Sequence, residues 1–316
     1  MKRVLLIAGG GTLGKYTAEE FLHLGCAVDV ICLENAVSDN TNLRYYKSFA
    51  TYDFLSELFS QNHYDGIVNF IHYVNIEDYK PIYKLLIENT EHLIFLSSYR
   101  IYADKEHPIR ETSPKLLDTV KDDNYFLTEE DYALSKTRAE RFLETECTGQ
   151  NWTVVRPVIS FSHRRFDLFT HSCDFVIRAA RDNSLVLLPE CAKNLTAGLD
   201  WAGNSGKLIA NLLFKEETIG EAYTVSSAPN LTWGEIGRIY SDLLGIKIKY
   251  IAIDEYERLY HPEEKSKFIL KYDRMFDRTI DNSKILKATG LKKEDFSTIK
   301  EGIKVELEIY NTMGGI

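Results

Sequence analysis

The chain has 316 residues, 44% of them hydrophobic and 27% charged, the composition of an ordinary soluble globular protein. Its 38 lysine and arginine residues against 47 aspartate and glutamate residues give a net charge of −9, and it has no long basic run. Nucleic acid is therefore not expected as a partner. No apolar run reaches the roughly 18 residues that a bilayer crossing needs, and no signal peptide precedes the first strand pattern. We expect a cytoplasmic protein with no membrane partner.

The cysteines predict reduced thiols. They form no CxxC pair and no cluster with histidine at the spacing of metal ligands. There are five of them: Cys26, Cys32, Cys147, Cys173 and Cys191. Neither a disulfide framework nor a metal site is expected, in agreement with a cytosolic location.

The first predicted element joins a buried strand, a glycine turn and an amphipathic helix. The strand is the continuous apolar run Val4–Ala8, the turn is Gly9 to Gly11, and the helix begins at Thr12 and ends before Gly25. A helix that starts beside glycines offers free N–H groups and the positive end of its dipole to a pyrophosphate. We therefore predict a dinucleotide site at this turn. The alternative is a glycine-rich turn that binds no ligand.

The spacing of the glycines sets the residues of this predicted site. In a G-x-x-G-x-x-G register, Gly11 and Gly14 occupy the second and third glycine positions, while Ala8 stands in the first. We expect contacts to the cofactor from residues of the turn and the first helical turn. These are Gly9, Gly11, Thr12, Leu13 and Gly14.

An acid ends the next predicted strand, Ala27–Leu33. Glu34 at this position would accept hydrogen bonds from the adenosine ribose, which favours NAD slightly. A solvated loop carboxylate is the alternative, and Arg44 keeps NADP open because an arginine suits a 2′-phosphate.

Strand and helix patterns then alternate along the front half of the chain. Helical spacing occurs in Asp53–Gln61 and Tyr79–Asn89, and apolar strand runs in Gly66–Ile71 and His92–Ser97. Alternation with short connections predicts an α/β fold with a Rossmann-type, doubly wound parallel sheet.

Polar groups follow the later strand and helix of this pattern. Ser98 comes after the strand His92–Ser97, where parallel sheets bind ligands at their carboxyl edge. Tyr132 and Lys136 are spaced by four, so both lie on one face of a predicted helix. A nearby ammonium stabilises phenolate and makes a phenol usable as an acid or base. By itself the pair would be an ordinary solvated face, but the glycine turn, the strand-end serine and the pair occur in this order.

These motifs resemble the extended branch of the short-chain dehydrogenase/reductase superfamily, which contains nucleotide-sugar epimerases, dehydratases and reductases. FLSSYRIYAD resembles the strand-end motif with a Ser four residues before a Tyr, YALSKTRAE resembles the Y-x-x-x-K helix, and TVVRP resembles the next landmark strand. The resemblance implies that Tyr132 is the general acid/base, and that Lys136 supports it and holds the nicotinamide ribose. Ser98 would orient the substrate oxygen. The cofactor would be NAD or NADP, and the protein a homodimer.

The chain departs from the family pattern near the substrate. Arg100 stands two residues after Ser98, where a threonine is common in the family, and we include it among the substrate-binding residues together with Arg164 and Arg165. Two adjacent arginines suit a diphosphate, whereas a solvent-facing basic turn is the alternative.

The back half of the chain resembles the smaller α/β substrate domain of that family. We expect a dinucleotide-binding domain at 1–160, rejoined by about 195–228, and a substrate-binding domain at 161–316. Helices are predicted over Phe166–Ala180 and, after a capping box, from Thr232.

The resemblance implies a reaction on a sugar hydroxyl or keto group. A 4,6-dehydratase would have an Asp-Glu pair directly after the strand-end serine, where this chain has Tyr99 and Arg100. This leaves a nucleotide-sugar epimerase or a 4-ketoreductase. The alternatives are a non-catalytic NAD(P)-binding sensor or scaffold and an RNA-associated protein, the second of which conflicts with the acidic charge.

Overall fold

Strands and helices alternate through the front half of the structure, a computed structural model that describes residues 1–312. The strands are β1 (Arg3–Ile7), β2 (Ala27–Cys32), β3 (Leu43–Lys47), β4 (Tyr64–Asn69), β5 (Thr90–Leu96), β6 (Trp152–Pro157), β7 (Ile159–Phe161), β8 (Leu185–Pro189), β9 (Leu199–Trp201), β10 (Ala222–Val225) and β11 (Lys247–Ile251). The helices are α1 (Thr12–His23), α2 (Tyr52–Gln61), α3 (Ile76–Ile87), α4 (Leu116–Thr119), α5 (Asn124–Glu129), α6 (Ala133–Glu146), α7 (Cys173–Arg181), α8 (Ala202–Ala210), α9 (Trp233–Leu244), α10 (Ile253–Tyr260), α11 (Ser283–Thr289) and α12 (Ile299–Thr312). None of these helices has the length and apolar character needed to cross a membrane.

Seven parallel strands form the central sheet. Their order is β10-β6-β5-β4-β1-β2-β3, and every neighbouring pair runs parallel. The chain moves outward in one direction from β1 to β3 and in the other from β4, so the switch point lies between β1 and β4. The predicted Rossmann-type fold is confirmed.

Helices cover both faces of this sheet because its central strands are apolar on both faces. In β1, Val4 and Leu6 pack against α1 and α8, while Leu5 and Ile7 pack in a second cluster with α2, α3 and α6. All four side chains are fully buried. The carboxyl ends of β1, β4 and β5 therefore sit at one edge of a rigid layer, where they carry the site.

The back half adds two small parallel sheets, β8 with β11 and β7 with β9, around its own apolar cluster. β10 does not belong to these sheets and pairs with β6 at the edge of the central one. The capping box predicted at Thr232 is present: its hydroxyl accepts the N–H of Glu235, whose carboxylate accepts the N–H of Thr232.

The helix predicted over Phe166–Ala180 is wrong in its first half, since α7 starts only at Cys173. Phe169 has a φ of +59°, and Leu168 and His171 form an isolated bridge. A left-handed residue cannot continue a right-handed helix. The apolar side chains of this stretch are buried as a folded loop, which helical spacing alone does not distinguish.

Candidate active site

The glycine turn leaves the start of α1 open. Gly11 precedes the helix with no side-chain cap on the N–H groups, and the first turn has no acidic residue. A Cβ added to Gly11 would have no atom within 4 Å, and its backbone conformation does not require glycine. The missing side chain therefore leaves open space in front of free N–H groups, which fits a pyrophosphate.

The other glycine positions are needed by the fold. A Cβ on Gly14 would lie 2.2 Å from the carbonyl oxygen of Gly9, so α1 packs directly on the turn. Ala8, in the first glycine position of the motif, has a φ of +57°, a conformation that costs an L-residue roughly 1–2 kcal/mol. The chain keeps the backbone shape of the motif although it lacks that glycine.

Glu34 follows β2 and turns back over the glycine turn. Its carboxylate lies where a side chain on Gly10 would be, 2.4 Å from the position of the missing Cβ. A cavity of about 350 Å³ lies beside it, lined also by Phe49 and Ala50. A carboxylate at the end of β2 is the kind of group that accepts hydrogen bonds from an adenosine ribose. Arg44 is engaged elsewhere, because its Nε lies 3.1 Å from a carboxylate oxygen of Asp29.

A second cavity of about 470 Å³ joins the glycine turn to the strand-end residues. Its lining includes Gly11, Thr12, Leu13 and Gly14 on one side and Ser98, Arg100 and Tyr132 on the other. Residues about 120 positions apart in sequence, such as Gly11 and Tyr132, thus line the same cleft, as expected for a carboxyl-edge site. Among the residues that line it there is no aspartate or glutamate.

The Tyr132 ring has an aromatic neighbour, His72, and a cationic neighbour, Arg100. The residue precedes the first residue of α6, rather than lying inside the helix as predicted, and its side chain is half-buried. The His72 ring meets it edge-on with centroids 4.9 Å apart, and the guanidinium carbon of Arg100 lies 5.0 Å from its ring centroid. The His72 Nε2 lies 2.8 Å from the Ser135 hydroxyl, which ties the end of β4 to the start of α6.

Burial, together with the charge of Lys136, lowers the pKa of His72 below its ordinary value. His72 is therefore a neutral imidazole at pH 7. It orients the phenol without adding charge beside it.

The Lys136 ammonium lies beneath the cavity rather than in its lining. Its Nζ donates to the carbonyl oxygens of Ile71 and Leu96, at the ends of β4 and β5, and the side chain is 1% exposed. Burial lowers its pKa to about 7, an effect that the more distant Glu140 only partly opposes. Lys136 thus holds the two strand ends together and can change its protonation state near neutral pH.

Arg100 connects the front half to a buried acid of the back half. Its Nε lies 3.3 Å from Asp273, and its Nη2 lies 3.7 Å from Glu130. Asp273 also contacts Arg274 and Arg278 and accepts a hydrogen bond from Tyr99. Burial would raise the pKa of Asp273, but the guanidinium groups around it outweigh that and hold the pKa below its ordinary value. It is therefore a carboxylate at neutral pH.

The two neighbouring arginines predicted to bind substrate, Arg164 and Arg165, line different cavities. Arg165 lines the 470 Å³ cavity and pairs with Asp167 at 2.7 Å, whereas Arg164 lines another cavity of about 330 Å³, which borders the glycine turn and Glu34. Their loop is attached to the turn by a hydrogen bond between Thr12 and Ser162.

A buried carboxylate of α12 fixes this same loop. Glu306 is fully buried and accepts hydrogen bonds from the Tyr16 hydroxyl, the Trp201 indole N–H and the His163 main chain. α1, α12 and the loop are thereby joined around the turn. Sequence reasoning missed Glu306, Asp273 and Arg274 because no local pattern distinguishes them from surface charges.

Three comparisons with known proteins bear on the family and the fold of this chain. The model of the NAD dependent epimerase/dehydratase family matches residues 5–201. A UDP-glucose 4-epimerase of Lacticaseibacillus casei is 28% identical over an alignment covering 36% of this chain and only 40% of that protein. The epimerase Mth375 of Methanothermobacter thermautotrophicus superposes with a TM-score of 0.73 at 13% identity, over 98% of this chain and 92% of its own.

A further solved structure contains ligands. The Bordetella bronchiseptica enzyme WbmG, in complex with NAD and UDP, superposes with a TM-score of 0.70 at 16% identity, over 99% of this chain and 96% of its own. At such identities the structures establish the fold alone, whereas the family model covers more than half of the chain. The protein belongs to the NAD dependent epimerase/dehydratase family, within the extended short-chain dehydrogenase/reductase superfamily.

Proposed function

We propose that the protein is an NAD-dependent enzyme that epimerises or reduces a nucleotide-activated sugar at a hydroxyl or keto carbon. One observation supports this above the others: a single cavity has the open helix start at Gly11 on one side and Ser98 and Tyr132 on the other. A hydride carrier bound at the turn and a sugar beside the phenol would share that cavity. UDP in the WbmG structure motivates the choice of a nucleotide sugar.

The cofactor would be held by the residues of the turn. Thr12 and Leu13 would donate N–H groups to the pyrophosphate, and Gly11 would leave room for it. Gly9 and Gly14 would act by letting α1 pack directly on the turn, and Glu34 would accept the ribose hydroxyls. When bound, the nicotinamide supplies the hydride chemistry. NAD is favoured over NADP because the Glu34 carboxylate would accept ribose hydroxyls and repel a 2′-phosphate, although the 330 Å³ cavity that Glu34 also borders is lined by Lys15 and Arg164.

Tyr132 would transfer the proton at the sugar oxygen. Tyr132 and Ser98 both line the cavity, and the Ser98 hydroxyl would hold that oxygen by a hydrogen bond. Lys136 would support the phenolate and the nicotinamide ribose from beneath. His72 and the start of α6 fix the ring so that little reorganisation is required.

A 4,6-dehydration is not proposed. That elimination needs carboxyl groups beside the sugar, and the described lining of the cavity has none. The two acids that contact Arg100 beside the phenol, Glu130 and Asp273, are buried.

The test is the cofactor content and turnover of a matched pair of variants. Tyr132→Phe should retain NAD and lose turnover of UDP- and dTDP-sugars by roughly a hundredfold or more, since it removes the proton donor. Tyr125→Phe, on the exposed helix α5, is the control and should behave as the wild type. NAD that stays bound through purification favours an epimerase, and reversible binding of NADH or NADPH favours a reductase. Turnover that survives in Tyr132→Phe would refute the assignment, and cofactor binding without any turnover would favour a sensor.

A homodimer through α3 and α6 and a cytoplasmic location are proposed from the family likeness. Size-exclusion chromatography with light scattering tests the first. A monomer mass in that measurement would contradict the proposed dimer.

A further inference from the structure

The proposed sugar site is cationic although the protein as a whole is acidic. The cavity that contains Ser98 and Tyr132 is lined by three arginines and by no acid. The arginines come from three separate parts of the chain: Arg100 after β5, Arg165 after β7, and Arg274 at the end of a π-helical turn, Leu270–Arg274. Such a lining is suited to an anionic ligand.

Arg100 differs from the other two in its position. Its guanidinium lies against the Tyr132 ring, whose hydroxyl marks the reacting carbon in the proposed function. A diphosphate is separated from that carbon by the sugar ring itself. Arg165 and Arg274 remain for the diphosphate, whereas Arg100 is placed beside the sugar.

The charge around Arg100 is not balanced within the protein. Four guanidinium groups, those of Arg100, Arg165, Arg274 and Arg278, surround three carboxylates, Asp167, Asp273 and Glu130. One positive charge is therefore in excess in a cluster whose members, apart from Arg165, are largely buried. A buried excess charge is costly unless a counter-ion joins it.

The hydrogen-bond donors of Arg100 are also unused. Arg274 donates to the carbonyl oxygen of Phe169, and Arg278 to that of Tyr102. The Nε–H of Arg100 has no acceptor with hydrogen-bond geometry among the described residues, and its Nη2 is 3.7 Å from Glu130, beyond hydrogen-bond distance. Its Nε is itself buried beside Asp273, so Arg100, with its side chain 22% exposed at the cavity wall, can present the N–H groups of its two Nη atoms to a planar anion.

We propose that the sugar carries a carboxylate, so that the substrate is a nucleotide-linked uronic acid, and that Arg100 binds this carboxylate beside the carbon on which Tyr132 acts. The inference rests on the proposed function. A carboxylate on the ring carbon next to the reacting carbon lies within reach of a group packed on the phenol. It supplies the single negative charge that the cluster lacks.

The test measures binding to the NAD-loaded protein by calorimetry, with UDP-glucuronate and UDP-glucose as a pair that differs only in this carboxylate. The wild type should bind UDP-glucuronate more tightly. Arg100→Thr should weaken that binding roughly 10- to 100-fold and change the UDP-glucose affinity by less than about threefold. Arg100→Lys should keep part of the preference, since it keeps the charge but loses the fork. Arg138→Thr, at an exposed position of α6, is the control.

Each result is decisive. Tighter binding of UDP-glucose by the wild type, or an equal loss for both sugars in Arg100→Thr, overturns the uronic acid while leaving the proposed function in place. If NAD binds and neither UDP-sugar does, the nucleotide-sugar function fails as well. Thermal melting and NAD affinity of Arg100→Thr show whether the variant has kept its fold.

Discussion

The imidazole of His72 stands edge-on to the phenol of Tyr132, with ring centroids 4.9 Å apart, and its Nε2 contacts Ser135 at 2.8 Å. The ring thus joins the end of β4 to the first turn of α6 directly behind the proposed proton donor. We predict that His72→Phe, which keeps the ring and loses the hydrogen bond, lowers kcat by about tenfold through misplacement of the phenol.

Steady-state kinetics on the sugar substrate measure this effect, with NAD affinity expected to stay constant. His23→Phe, at a highly exposed position, is the matched control. An unchanged kcat in His72→Phe would mean that the ring contact alone positions the phenol.

Two glycine substitutions separate cofactor binding from folding. Gly11→Ala places its Cβ in open space, so its free energy of unfolding should stay within about 1 kcal/mol of the wild type. NAD binding should nevertheless fall by roughly tenfold or more, because the methyl group occupies the space before the helix N–H groups. Gly14→Ala instead brings a Cβ to 2.2 Å from a main-chain oxygen, and should destabilise the fold by roughly 1–3 kcal/mol.

Urea unfolding and NAD titration of both variants check this pair. Wild-type NAD affinity in Gly11→Ala would show that the pyrophosphate does not pass the turn at this residue.

The buried ammonium of Lys136 predicts a pH dependence of stability. Its pKa is about 7 in the fold and near 10.4 in an unfolded chain. Below pH 7 both states bind the proton and the full cost of burying the charge is present. Between pH 7 and 10.4 the unfolded state binds more protons, so stability rises with pH by up to about 1.4 kcal/mol per unit.

The variant Lys136→Met has no titrating group at this position and serves as the reference for the pH dependence of wild-type stability. Denaturant unfolding at pH 7, 8 and 9 should show the wild type gaining stability relative to Lys136→Met as the pH rises. Parallel curves for the two proteins would contradict the burial of a titrating ammonium at this position.

The front half of the site could be predicted because its signals are local. The strand, the glycine turn and the helix follow one another directly within residues 4–24. The motifs around Ser98 and Tyr132 each span only a few positions. Parallel strands then bring them to one edge of the sheet. Even there, the structure starts α6 one residue after Tyr132, a detail of the cap that periodicity does not resolve.

The partners of Arg100 could not be predicted in the same way. Tyr99 and Asp273 are bonded across 174 positions of sequence, and Asp273 lies in a π-helical turn with two arginines near it, which reads as an exposed charged segment. Its complete burial depends on how the back half packs on the front half. The helix prediction around Phe169 was wrong for a related reason. Buried apolar residues have the same composition in a helix and in a folded loop, so composition does not distinguish the two.

The hydrogen bond from Tyr16 to Glu306 has a consequence for the order of folding. It links α1 to α12 across 290 positions of sequence, and a loop of that length carries a large closure entropy. Contacts of this separation form after the local strand–turn–helix units. We therefore expect the glycine turn to take up its secondary structure early and to reach its final shape when α12 docks. During refolding, competence to bind the dinucleotide should lag behind the recovery of helical circular dichroism.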